Sequence, residues 1–410
     1  MTRSPRQLVA FWLAALVVGA AVFGLTCLTE PALRTTMNFG ANYGEMSTDP
    51  FGWLGKFPHR ILSPLVANLL GFSGERYGLF THGCSALMIA MWFAAARFLG
   101  ARFWQALLLT TTLAFTGAVQ IYKGHVGYPD PATFLLLTAS IVAVDRAKLF
   151  WALQFLSVMH HEQIFFFWPW LLYWRHQSAR REQFPNEDAG PVRWRDDFIG
   201  GAVVAVLYVA FRFYVGAKAT DQVLTMEHYS ALDYFPVGTI GLVALNLLST
   251  FIWFGLLPIL VAWHLFRDGW RCAGLGIVLF IFCQHAVFGV AHDVYRFTCF
   301  LFVPVLFAGL RLLRERWGTS VLLLFSGLSI VAIKLQAPVF VEIGTAVLVK
   351  QTPNGPAVRI DPVSTIVPEV IPVYWATFTA YLGCLMATLL IGWLWARRCR
   401  AVDSRPTQAA

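Results

Sequence analysis

Long apolar runs separated by short basic stretches dominate this chain. Read against their flanking arginines and lysines, the runs predict membrane spans near 8–29, 76–97, 103–122, 131–145, 198–216, 237–265, 272–291, 296–313, 318–336 and 373–395. The run 149–174 is different, because Arg146 and Lys148 precede it while Arg175, Arg180 and Arg181 follow it. Basic flanks at both ends belong on one side of a membrane. The run therefore predicts a hairpin of two short helices with its tip at His160, His161, Glu162 and Gln163. Arms of about 12 residues, ~18 Å each, stop short of the far surface of a ~30 Å hydrocarbon core. The expected fold is an all-α polytopic membrane protein of about 11–12 transmembrane helices, counting the hairpin arms. A single integral-membrane domain covers residues 1–410, with both termini cytoplasmic.

Between the first and second spans lies a polar passage, Asn38 to Gly71. From Arg60 onward it becomes amphipathic, with Ile61, Leu62, Leu65, Val66, Leu69 and Leu70 on one helical side and Arg60, Ser63, Ala67 and Asn68 on the other. That pattern predicts a short helix lying flat in the membrane interface of the first outer loop. In the last outer loop, TAVLVKQ and AVRID flank TPNGP and predict a small β-hairpin around Asn354-Gly355.

Composition strengthens the membrane reading, since 58% of the 410 residues are hydrophobic and only 13% charged. A net charge of +9 could suit nucleic acid, but the basic residues sit beside the apolar spans, as the positive-inside rule requires. We expect no nucleic-acid partner. Seven cysteines in or beside apolar segments, with no CxxC pair, imply neither a disulfide framework nor a zinc site. The polar stretch 175–197 reads as a solvated loop without chemistry.

On this topology the ionisable residues gather on the outer face. Glu45, Asp49, Lys56, His59 and Arg60 come from the first loop, and Lys123, His125 and Asp130 from YKGHVGYPDP. His161 and Glu162 come from the hairpin tip, and His292, Asp293 and Arg296 from AHDVYRF. Charges at a membrane edge are costly and need partners, so Glu162 is expected to pair with a basic residue of this face. Arg212 is the clear charge inside a span, nearer its outer end. Carboxylates suit proton abstraction and the cations suit a phosphate, which points to an enzyme acting on an extracytoplasmic lipid-linked substrate. A solute or lipid transporter is the rival, and it would place its site near the midplane.

The layout resembles the GT-C class of integral-membrane glycosyltransferases. STDPFG followed by FPHRILSPLVANLLG is similar to bacterial members in which a DP-containing loop leads to an R-I-L-x-P-L run, and HHEQIFFFWPWLLYW resembles their polar-tipped hairpins. The resemblance implies inverting transfer from a polyprenyl-phosphate-linked sugar to a glycan, lipid or protein acceptor, in contact with membrane lipids. It implies a bacterial inner-membrane protein with an extracytoplasmic site. Asp49 best matches the first-loop general base, with Glu45 as its rival, while Arg60 and Arg296 would bind donor phosphate. His59, His125, Asp130, His161, Glu162, His292 and Asp293 complete the substrate-binding set. A polysaccharide polymerase of the same substrate class is the alternative, hard to separate by sequence. No cofactor is firmly implied, and the residues leave room for a divalent metal.

Overall fold

The computed structural model describes residues 5–36, 39–53, 55, 57–180, 192–217, 250–268, 272–288, 294–344, 348–352, 355–359 and 386. Helices dominate these residues. Three are long and apolar enough to cross a membrane: α1 (Pro5–Thr29), the Gly74–Phe98 segment that contains α4 (Tyr77–Phe98), and α10 (Trp194–Gly216). Around them run α2 (Phe39–Met46), α3 (Leu62–Leu69), α5 (Phe103–Ala114), α6 (Gly117–Gly124), α7 (Asp130–Val142), α8 (Ala147–His160) and α9 (Ile164–Arg180). After α10 follow α11 (Leu257–Asp268), α12 (Cys272–Phe288), the short α13 (Val294–Thr298), α14 (Phe302–Leu312) and α15 (Gly318–Gly344). The architecture is that of an all-α membrane protein, and the described residues also include a small sheet. Strand β1 (Leu348–Thr352) pairs antiparallel with β2 (Gly355–Arg359), Thr352 opposite Gly355.

The core is built on α4, which α1 and α7 flank. Alanines and Trp92 and Phe93 bury most of α4, whereas α1 and α10 expose leucine, valine and phenylalanine along their length. Such apolar exposure suits lipid rather than water. The α1–α4 approach is close because Gly19 lacks a side chain where Ala86 and Ala90 pass. One expected span, 103–122, is divided. Thr116 adopts extended backbone between α5 and α6, its hydroxyl bonded to the Leu113 carbonyl at 2.6 Å, and Gly117 packs against the Trp253 ring. Two helices of 12 and 8 residues result, and neither is long enough to cross alone.

The run 149–174 is a hairpin. Arg175, near the end of α9, donates to the carbonyl of Val144, just before α8 begins, and the Trp151 and Trp168 rings of the two arms meet at 5.6 Å. The base is tied further by Asp197 of α10, which accepts from Arg175 Nε at 2.9 Å and from Trp151 Nε1 at 3.3 Å. His176 Nε2 lies 2.9 Å from the second oxygen of Asp197, and its ring stacks on Trp194 at 3.6 Å. Residues 175–176 and 194–197, read from sequence as ends of a solvated loop, are thus a buried clamp. Helix α10 runs from this base toward the tip.

Helix α3 is amphipathic in the sense that suits a bilayer. Ser63, Pro64 and Ala67 are buried against the protein and Asn68 donates to the Ser47 carbonyl at 2.8 Å, while Leu69 and Leu70 are exposed. Its polar side faces inward. Helix α2 is held by close backbone contact between Gly40 and Gly127, the latter at φ 92°, a conformation that disfavours any side chain. Gly40→Val is expected to lower stability by about 1–3 kcal/mol, because a side chain would meet the Val126 carbonyl. Thermal unfolding of the purified protein measures it, with Gly83→Ala, at an exposed α4 position with open space around it, as the unaffected control.

Candidate functional site

At the hairpin tip, α8 ends at His160 and α9 begins at Ile164, so residues 161–163 turn the chain. The turn presents Glu162 to the first loop. Arg60 meets it with two parallel bonds, Nε to Oε2 at 2.9 Å and Nη2 to Oε1 at 2.5 Å, and donates from Nη1 to the Tyr43 hydroxyl at 3.0 Å. Bidentate geometry makes this a strong, directional pair. The guanidinium also lies 4.5 Å over the Phe57 ring, which stacks on Tyr43. Among the described residues Phe57 is the non-glycine residue at positive φ, 58°, a strained conformation that the stack sustains.

Two histidines fill the space around Glu162. His59 Nε2 is 3.4 Å from Oε2, and burial lowers the pKa of its ring below the ordinary value, against the opposing pull of Glu162. Burial likewise raises the pKa of Tyr43, with Arg60 opposing. His161 is buried, and its Nδ1 accepts from the Gln163 backbone at 3.3 Å, which leaves the proton on Nε2. That Nε2 has no protein partner. His160 has a different task. Its Nε2 donates to the Pro129 carbonyl at 2.7 Å, so Nδ1 must be the acceptor from Ser63 at 2.9 Å. One neutral ring therefore joins α3, the tip and the start of α7.

A second ion pair lies beside the first. Asp130, fully buried at the start of α7, accepts from Arg296 at 3.0 and 2.7 Å through one oxygen, Oδ2. Its Oδ1 is unpartnered, and Arg296 rests 4.7 Å over the Tyr128 ring. Arg296 is within electrostatic reach of both Tyr43 and His161, so the two pairs form one cluster.

The first-loop acids are elsewhere. Glu45 and Asp49 are exposed and, with Glu75, Thr48 and Trp53, line an open cleft of about 400 Å³. Asp49 Oδ1 accepts from the Gly52 backbone at 3.0 Å, which shapes the turn after α2. Glu45 follows Tyr43 by two residues, ~200° around α2, so the helix presents the hydroxyl to Arg60 and the carboxylate to the cleft. Arg60 does not line this cleft.

Other expected residues are placed as follows. Lys123 is buried and donates to the carbonyls of Thr26 and Glu30 at 2.9 and 2.8 Å, closing the C-terminus of α1, where a cation is favoured. His125 is exposed, edge-on to Tyr128. Lys56, His292 and Asp293 lie outside the described residues. Among the described residues no group of three His, Cys, Asp or Glu is placed to hold a metal ion.

Compared with protein-family models, curated proteins and solved structures, the chain matches none. The site must be read from its own chemistry. Sequence reasoning passed over Tyr128 and the Tyr43 hydroxyl, because an aromatic beside a membrane is ordinary and only its neighbours distinguish it.

Proposed function

We propose that this chain is a membrane glycosyltransferase that moves a sugar from a polyprenyl-phosphate donor to a glycan, lipid or protein acceptor at the tip end of the bundle. The observation that carries this reading is the meeting of Arg60 with Glu162 beside Asp130–Arg296, acids and bases from four separated segments at one end of apolar helices. Two arginines already matched by carboxylates can exchange them for the oxygens of a phosphate, an exchange of one bidentate acceptor for another. The donor phosphate would occupy this cluster, and the acceptor the cleft of Glu45 and Asp49. Asp49, with Glu45 as rival, would take the proton of the acceptor hydroxyl. The hydroxyl oxygen then bonds to the anomeric carbon, the bond from that carbon to the phosphate oxygen breaks, and polyprenyl phosphate leaves.

A transporter would need charges along a path. On the hairpin arms and α10, the charged side chains stand near the two ends: Lys148 and the Arg175–Asp197 pair at the base, Glu162 and Arg212 toward the tip. That separation favours a one-ended site over a path through the bundle.

The test is to reconstitute the full chain in sealed vesicles with a polyprenyl-phosphate donor labelled in its sugar. Transfer of label to acceptor with release of polyprenyl phosphate is expected. Label crossing the vesicle uncleaved would instead make the protein a carrier.

A further inference from the structure

Three arginines surround the tip, and two of them hold carboxylates. The third, Arg212, stands on α10, where the surrounding Val206, Leu207, Val209 and Phe213 are exposed as lipid-facing residues would be. Among the described residues its one hydrogen bond is from Nη1 to the neutral hydroxyl of Tyr208 at 3.1 Å, and no carboxylate balances it. Tyr208 packs its ring on Phe165, in the first turn after the tip, at 5.3 Å. Arg212 also acts electrostatically on His59. The cation is therefore at the border between the cluster and the lipid.

Its height is set by the same helix. Asp197 at the hairpin base and Arg212 are fifteen residues apart on α10, ~22 Å along the axis. If the base clamp marks one face of a ~30 Å hydrocarbon core, Arg212 lies within its far third, where a phosphate reached from the headgroup layer can meet it. A half-buried arginine in an apolar helix is costly unless an anion or the interface repays it. The tip turn that precedes Phe165 holds a further buried group without a hydrogen-bond partner, Nε2 of His161.

We propose that Arg212, with Tyr208, receives the phosphate of a membrane lipid that enters the tip cluster sideways from the bilayer. This deepens the glycosyltransferase reading and rests on it only for the identity of the lipid chain. In it, Arg212 is the cation that captures the headgroup before Arg60 or Arg296 must give up a carboxylate.

The experiment measures binding without transfer. Full-length protein in detergent is titrated with farnesyl phosphate, with farnesol and with inorganic phosphate, and the same series is run on Arg212→Gln. Saturable binding of farnesyl phosphate, none of farnesol, weak binding of inorganic phosphate and a loss of ~10-fold or more in Arg212→Gln are expected. Binding of farnesyl phosphate unchanged by Arg212→Gln, or absent from the wild type, overturns the proposal. Inorganic phosphate binding as tightly as farnesyl phosphate, and depending on Arg212, overturns the lipid source. If Arg212→Gln does not fold, Tyr208→Phe and Arg212→Lys decide: each should weaken farnesyl phosphate, and no change in both overturns the site. Lipid-phosphate binding in a protein that transfers no sugar would refute the enzyme reading alone. Transfer that proceeds with Arg212→Gln binding the donor normally would refute this site alone.

Discussion

Arg60→Met and Glu162→Met, made singly, are each expected to reduce the unfolding free energy by about 3 kcal/mol and to abolish transfer. Removing one member of a buried ion pair leaves the other charge without compensation, at a cost of about 3–5 kcal/mol. The lower end applies because the Glu162 side chain keeps 27% of its exposure, against 13% for Arg60. Made together, the two methionines fill similar volume without stranding a charge, so stability should return to near the wild-type value. Activity should not return, since the double variant lacks Arg60, one of the two cluster arginines that would hold the donor phosphate. Denaturation in detergent and transfer assays on the same preparations separate the two effects. A double variant that regained transfer would make the pair a structural latch only.

Asp49→Asn should leave donor binding intact and lower turnover by roughly 10²–10⁴, the contribution of a positioned general base. The substitution preserves the side-chain shape and the oxygen that accepts from Gly52, so the turn after α2 should persist. Glu45→Gln, in the same cleft, should fall less. Both variants are compared by lipid-linked donor binding and single-turnover transfer. Near-normal turnover by Asp49→Asn would remove it as base. Collapse of Glu45→Gln alone would transfer the role there, and collapse of neither would direct attention to Asp130, whose Oδ1 is unpartnered inside the cluster.

The separation between what the chain reveals locally and what only its folding reveals follows from the physics of each signal. Basic residues at both ends of 149–174 announced the hairpin, because charge placement beside apolar runs is governed by the membrane and needs no knowledge of neighbours. Helix α3 was legible for the same reason, its two faces being set by contact with different surroundings. The division at Thr116 was not legible: the apolar pattern continues through it, and the neighbour that Gly117 packs against, Trp253, is far along the chain.

By itself, the sequence determined the all-helical membrane character, the hairpin and the short amphipathic helix of the first loop, and it marked the charges that had to find partners. Which partners they found was decided by tertiary structure alone. Arg60 and Glu162 are 102 residues apart, and Asp130 and Arg296 are 166 apart. Lys123, grouped by sequence with those charges, was drawn instead to the end of α1, and Asp197 from an apparent loop became the buried keystone of the hairpin base. Hydrophobic periodicity is a local response to solvent, whereas a buried charge is satisfied by whatever the packed helices bring within about 3 Å of it, and no spacing along the chain encodes that distance.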